Sequence, residues 1–192
     1  MLAVRRLADV PMKPRIHLIG GPGSGKSYAA ARLSSQFDVP AYALDDLFWD
    51  NTTSGYDVRR EPAERDQQLA SLVERDGWII EGVYYGWLAP SFAAADIIIA
   101  LTPSILIRQW RVMKRYALRK AGREASSKDE SLVDLWQLLR WGQTYDVQML
   151  APARSAVAAC GRTWVECQTL EDVSVATGHL ERQIRGTRVP KK

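Results

Sequence analysis

Cysteine and histidine are both scarce in this chain, and their scarcity removes whole classes of chemistry. Its 192 residues include two of each: Cys160, Cys167, His17 and His179. The cysteine spacing fits neither a zinc pattern nor Cys-x-x-Cys. No disulfide framework is expected, and the thiols read as reduced in a cytoplasm. Two histidines are too few for a metal cluster; His17 reads as a strand residue and His179 as a surface one. Long hydrophobic runs are lacking too. No segment reaches the ~18–20 apolar residues of a membrane span, so no membrane partner is expected. Residues 1–14 carry charge and two prolines but no apolar stretch of the kind a secretory signal needs, and they read as a loose extension. Internal repeats and low-complexity tracts are absent.

Hydrophobic residues make up 46% of the chain, enough for a proper core, and the length suits one domain with at most a small insert. The net charge of +4 is a mild basic excess. It is compatible with a polyphosphate ligand and makes no case for nucleic acid. Part of it sits at Arg182, Arg185, Arg188, Lys191 and Lys192, so residues 181–192 read as a basic, solvated tail.

The most informative segment is Gly20-Gly21-Pro22-Gly23-Ser24-Gly25-Lys26-Ser27, which matches G-x-x-x-x-G-K-[ST]. Glycines in this pattern let the backbone curl until several N–H groups point at one oxyanion. Lys26 is then expected to reach the β/γ-phosphates of a nucleotide, and the Ser27 hydroxyl to join the shell of Mg²⁺. With glycine near 7% of residues, a chance match is expected well under about 1% of the time. Context agrees. Arg15 to Ile19 is a short apolar run suited to a buried strand, and Lys26 to Phe37 has helical composition with Ala29, Ala30, Leu33 and Phe37 near one face. A helix N-terminus behind the loop favours negative charge.

Four further apolar runs read as strands: Ala41 to Leu44, Trp78 to Ile80, Asp96 to Leu101, and Thr163 to Val165. Helix-like stretches lie between them, roughly 62–75, 104–119, 131–141 and 143–159. Alternation of this kind predicts a parallel sheet covered on both faces, with ligands beyond the carboxyl ends of the strands. That locates the site where Gly20–Ser27, Asp45-Asp46, Glu81-Gly82 and Thr102-Pro103 each follow a strand. Residues 120–130 are polar and aperiodic and read as a mobile loop. Leu132, Leu135, Trp136 and Leu139 form an i, i+3, i+4, i+7 stripe and are expected in the core. Pro152 is expected to kink or end its helix.

Asp45 or Asp46 is the candidate carboxylate after the second strand. It can take a proton or hydrogen bond from an acceptor hydroxyl, or help hold Mg²⁺ through water; the alternative is an acid used for local turn bonding. Phe48 and Trp49 follow as possible walls of an acceptor pocket. Glu81, ending the third strand, is placed to support a metal-bound water or the acceptor, or is a plain turn acid. Tyr84, Tyr85 and Trp87 suit packing as well as substrate contact. At 100° per residue, Arg108, Arg111, Arg115 and Arg119 share one narrow face of the 104–119 helix, and Leu106, Trp110, Met113 and Ala117 the opposite one. The apolar face is expected to pack on the core. The arginine face reads either as an ordinary solvated surface or as a phosphate clamp on a closing lid at about 108–131.

In order along the chain, the glycine loop, Leu44-Asp45-Asp46-Leu47-Phe48-Trp49, Trp78-Ile79-Ile80-Glu81-Gly82-Val83-Tyr84, Ala95 to Leu101 and Trp110-Arg111-Val112-Met113-Lys114-Arg115 resemble the P-loop nucleoside and nucleotide kinase superfamily. Within it the likeness is to the adenylate-kinase-like group called DNA topology modulation protein, or FlaR-like, over roughly residues 15–175. The Leu-Asp-Asp-Leu-Phe segment also looks like the uridine and nicotinamide riboside kinases, in which that carboxylate faces the nucleoside hydroxyl. The resemblance implies an α/β, three-layer P-loop NTPase fold over 15–180, with a five-stranded parallel sheet flanked by helices and a small helical lid. It also implies ATP with Mg²⁺. The nucleotide set is then Gly20, Gly21, Pro22, Gly23, Ser24, Gly25, Lys26, Ser27, Tyr28, Arg115 and Arg119; the catalytic set is Lys26, Asp45, Arg111 and Arg115; the metal set is Ser27, Asp45 and Glu81. Asp45 matches the group's single Asp better than Asp46 does.

The departures are specific. Adenylate kinases carry Asp-Gly-Phe-Pro-Arg after the third strand, and this chain has Glu81-Gly82-Val83-Tyr84-Tyr85, without the acceptor-phosphate arginine. The FlaR-like Asp-Gly-Asn-Tyr is altered at Glu81 and Val83, and that group's late arginine-rich stretch is missing from Tyr145 to Arg154. The expectation is an Mg-ATP-dependent kinase of a small-molecule acceptor, a nucleoside, nucleotide or related metabolite, acting as monomer or homodimer. The alternative is a nucleotide-dependent, DNA-topology-related ATPase, for which the chain offers no reading helix or aromatic platform. Asn51 is the only asparagine, so the Asn-Lys-x-Asp motif of GTPase families is absent.

Overall fold

A computed structural model describes residues 13–50, 58–123 and 131–186. Most of the expected extension (residues 1–12), residues 124–130 of the expected lid and residues 187–192 of the expected tail lie outside the described residues. Five strands form one parallel sheet: β1 (Arg15–Ile19), β2 (Ala41–Ala43), β3 (Trp78–Gly82), β4 (Ile97–Leu101) and β5 (Trp164–Cys167). Their order is β2-β3-β1-β4-β5. The central strands are apolar on both sides because both sides are covered; all five residues of β4 are buried.

Side chains alternate across the sheet, and each parity has its own helices. Ile16, Leu18, Ile79 and Ile99 pack with Ala29, Ala30 and Leu33 of α1 (Lys26–Phe37) and Val173 of α8 (Leu170–Gly186). Ile19, Ile80 and Ile98 face the other way. They meet Leu44 of α2 (Leu44–Phe48), Leu69 of α3 (Pro62–Val73), Phe92 of α4 (Ala89–Ala94) and Val157 of α7 (Ala151–Ala159). Each fully buried aliphatic side chain in these layers contributes about 1.5–3 kcal/mol of transfer free energy. α8 runs to Gly186, into the stretch read as tail.

From β1 the chain crosses to one edge of the sheet, and from β4 to the other. The carboxyl ends of these adjacent strands therefore border a crevice where ligands bind in open α/β sheets. The glycine segment 20–25 begins there. Gly23 and Gly25 have φ of 73° and 98°, a region closed to most L side chains. A Cβ on Gly23 would also run into the backbone carbonyl of Arg108.

Two expectations about packing are corrected and a third, about Pro152, is refined. The first concerns α5 (Ile105–Lys120), which lies the other way round. Arg108 is 4% exposed, whereas Leu106 is 74%, Trp110 62% and Met113 42% exposed, and Ala117 is exposed too. Arg108 turns inward because it finds a partner there, while Arg111, on the same face, stays exposed. Arg108 makes a two-pronged ion pair with Asp146, through Nη1 to Oδ1 at 2.9 Å and Nη2 to Oδ2 at 2.6 Å. The second concerns Leu132 and Trp136 on α6 (Leu132–Tyr145), which are 71% and 60% exposed rather than in the core, while Leu135 and Leu139 are half-buried. The third concerns Pro152, expected to kink or end its helix: the α-helical run is interrupted, just before the proline rather than at it. A π-helical turn, Asp146–Leu150, joins α6 to α7, and Pro152 sits in the first turn of α7. The Ala151 N–H reaches back five residues to the Asp146 carbonyl, and this widened turn makes the room a proline ring needs.

Candidate functional site

The crevice opens into a cavity of ≈ 650 Å³. It is lined by Pro22, Gly23, Gly25, Lys26, Ser27 and Tyr28 of the loop and α1, by Asp45, Phe48, Trp49 and Arg59, by Glu81 to Tyr84, and by Arg111, Arg115, Leu138 and Trp141 of α5 and α6. Segments far apart in sequence meet here because each leaves the same end of the sheet, or packs against what does. Gly20 lies beneath, its N–H donating to the Gly82 carbonyl at 3.3 Å. Gly21 is packed behind the loop against Arg108 and Tyr145, and Ser24 is buried with no hydrogen-bond partner for its hydroxyl among the described residues.

The side chains are already in contact across the loop. Ser27 Oγ donates to Glu81 Oε1 at 2.7 Å. Half-buried Lys26 donates to the Gly21 carbonyl at 3.4 Å. Desolvation lowers its pKa, Glu81 and Asp45 oppose that effect, and Arg115 adds to it. Arg111 Nη1 donates to the carbonyls of Gly23 and Ser24 at 3.3 and 3.0 Å. Arg119 does not line the cavity; it lies one turn beyond Arg115 on α5. Arg108 is spent on Asp146 and backs the loop rather than facing the cavity.

Of the two adjacent carboxylates, Asp45 lines the cavity and Asp46 does not. Tyr84 donates to Asp45 Oδ1 at 2.8 Å, and burial together with that carboxylate holds the phenol well above its usual range. Tyr84 is thus a site residue, whereas Trp87 packs against the core and carries the Arg65 guanidinium 4.5 Å over its ring. Phe48 stacks on Tyr84 with centroids 4.6 Å apart and planes 20° apart, and Trp49 meets Phe48 edge-on at 4.8 Å. Arg60 pins this segment: its guanidinium donates to the carbonyls of Leu47, Asp46 and Trp49, and it pairs with Glu64. Tyr145 is fully buried and donates to the Val83 carbonyl at 3.0 Å, tying α6 to the back wall.

Leu138, Trp141, Tyr145 and Asp146 were outside the sequence reading. None follows a strand, and helical composition carries no mark of which turn faces a cavity. Among the described residues no three His, Cys, Asp or Glu side chains sit together as a metal cage. The oxygen pair Ser27–Glu81 suits instead a hard cation that keeps waters and shares its ligands with a phosphate chain. A smaller cavity of ≈ 270 Å³ adjoins the loop on its far side, between Ser24, Tyr28, Arg111 and Gln168–Leu170. A third, of ≈ 470 Å³, lies along β5 and α8 and includes Cys167, whose thiol burial pushes up to about 11. That thiol is protonated at neutral pH and no nucleophile. No helix among the described residues is long and apolar enough to cross a membrane.

No family model matches the sequence. A similar protein is the uncharacterized protein YqaC of Bacillus subtilis (strain 168), 27% identical over 136 residues, which span 70% of this chain and 74% of the relative. The likeness names no activity.

Proposed function

We propose that the protein is a P-loop phosphotransferase that moves the γ-phosphoryl group of ATP to the hydroxyl of a small-molecule acceptor. The observation that carries this is the 2.7 Å bond between Ser27 of the glycine loop and Glu81 of the third strand, inside a cavity that also holds Lys26, Arg115 and Asp45. A hydroxyl and a carboxylate in contact beside the Lys26 ammonium fit a Mg-polyphosphate, and Gly20, Gly21, Gly23 and Gly25 leave four of the loop's positions without a Cβ. Mg²⁺, when bound, neutralises charge on the β- and γ-oxygens.

The chain's own groups do the rest. Gly20 to Ser27 bind and orient the phosphates. Lys26 and Arg115 stabilise the equatorial oxygens as charge spreads over them. The acceptor oxygen bonds to the γ-phosphorus while the bond to the β,γ-bridging oxygen breaks, its electron pair leaving with ADP. Asp45, one wall away, takes the hydroxyl proton. Arg111 is bound to loop carbonyls and either keeps that role or swings to the phosphates. The smaller cavity beyond Gly25 and Tyr28 takes the nucleoside end of ATP, which leaves the larger one to phosphates and acceptor.

ADP release from Mg-ATP, measured across nucleosides, nucleoside monophosphates and small hydroxylated metabolites, tests the reading. One acceptor should raise turnover well above background, and Lys26→Ala should abolish it. Slow hydrolysis indifferent to every acceptor but stimulated by duplex DNA at low salt would instead favour a DNA-dependent ATPase.

A further inference from the structure

We infer that the outward face of α5 docks on a membrane surface bearing anionic lipids, a property independent of the phosphotransferase reading. Leu106, Trp110, Met113 and Ala117 are all exposed. At about 100° per residue they fall within about 60° of one another, in a stripe about 16 Å long. Lys114 borders the stripe on one side and Lys120 on the other, and both are exposed. Contiguous exposed apolar surface with a polar rim marks an interaction site. The stripe is also held ready. Buried Val112 and the Arg108–Asp146 pair anchor the opposite face of the helix, so docking costs no folding of a loose segment.

Charge selects the occupant. Every ionic side chain of α5 is a cation: Arg108, Arg111, Lys114, Arg115, Arg119 and Lys120. No Asp or Glu occurs between Asp96 and Glu124. A second copy packed on the same stripe about a two-fold axis would bring lysines against lysines. An anionic lipid surface instead attracts them, each cation strengthening binding about 5-fold. The side-chain set favours lipid over the groove of an acidic protein. Trp110 lies on the boundary between the apolar stripe and Lys114, where an indole sits at headgroup depth while lysine reaches past it to the phosphates. Leu106, Trp110 and Met113 line none of the cavities described above, so the stripe presents no socket for a partner's side chain. The expectation of no membrane partner rested on the lack of a spanning segment; a helix lying along the surface needs none.

The test sediments the full chain with vesicles of phosphatidylcholine alone and of phosphatidylcholine mixed with phosphatidylserine. Binding to the mixed vesicles should be at least about 10-fold tighter than to the neutral ones. The double variant Trp110→Ser/Met113→Ser should weaken that binding by about 10-fold or more, and Lys114→Gln/Lys120→Gln by about 10-fold. Both should keep urea midpoints close to the wild type's, because all four side chains are exposed. No uptake by the mixed vesicles overturns the proposal, and so does equal uptake by both kinds. Uptake that Trp110→Ser/Met113→Ser leaves unchanged also overturns it and puts the contact on other basic residues. A dimer that this variant dissolves, without vesicle uptake, gives the stripe to a second copy of the chain. None of these readouts involves ADP release, so the phosphotransferase reading stands or falls separately.

Discussion

Arg108 and Asp146, 38 residues apart, meet as a fork on a fork, with the guanidinium buried behind the glycine loop and the carboxylate half-exposed. Removing the acid strands a buried cation. Stranding a fully buried charge costs about 3–5 kcal/mol. Because water reaches Asp146, Asp146→Ala is expected to cost less, about 1–3 kcal/mol, read as a lower urea midpoint at unchanged slope. An unshifted midpoint would mean the pair is not a structural anchor.

Gly23 and Gly122 have almost the same backbone, φ 73° and 67°, in different surroundings. A Cβ on Gly122 meets nothing within 4 Å, while one on Gly23 strikes the Arg108 carbonyl. Alanine at either position carries the left-handed cost of about 1–2 kcal/mol. Gly23→Ala is expected to lose at least about 2 kcal/mol more than Gly122→Ala in the same denaturation assay, because backbone must move. Equal losses would show that the approach of α5 to the loop is slack.

His17 is buried in β1, shares a 2.7 Å hydrogen bond with Ser91 Oγ, and has its pKa lowered by desolvation from 6.5 to about 3. Below pH 6.5 the unfolded chain takes up a proton that the folded one refuses. The stability this provides is complete above about pH 6.5 and is lost as pH falls toward 3, on the order of 5 kcal/mol in all. The double variant His17→Leu/Ser91→Ala removes the titration without orphaning the hydroxyl. Its stability should fall less steeply between pH 6 and 4 than the wild type's; parallel curves would clear His17 of the acid limb.

Orientation of α5 is tested from its two faces. Leu106→Lys and Trp110→Lys, on exposed side chains, should change stability by no more than about 0.5 kcal/mol. Val112→Ala, at a site 4% exposed, should cost more than about 1 kcal/mol. Thermal melts of the three variants decide it, and a large loss in either lysine variant would mean those side chains are covered.

All five strands and the bounds of α1 were legible in sequence, because short apolar runs alternate there with stretches of helical composition. The same rule gathered Lys26, Ser27, Asp45 and Glu81 at one end of the sheet. Orientation was not legible. Periodicity says that Arg108, Arg111 and Arg115 share a face, but not whether that face looks in or out. The assumption that apolar means inward failed here because Asp146, far along the chain, offers Arg108 a partner. Trp141 escaped for a related reason: its role comes from where α6 lies, and nothing in its neighbours' chemistry marks it.

Trp141 lines the cavity and Tyr145 backs Gly21, and between them lies one turn of α6, about 6 Å of rise. Their rings meet edge-on at 5.5 Å. The reach from the cavity wall to the glycine loop is therefore gauged by a single turn of helix that belongs to neither. A residue inserted or deleted within that turn would swing one ring about 100° against the other and leave the sheet untouched. The stretch of chain least able to absorb a change in length is thus a plain-looking helix, remote in sequence from every motif.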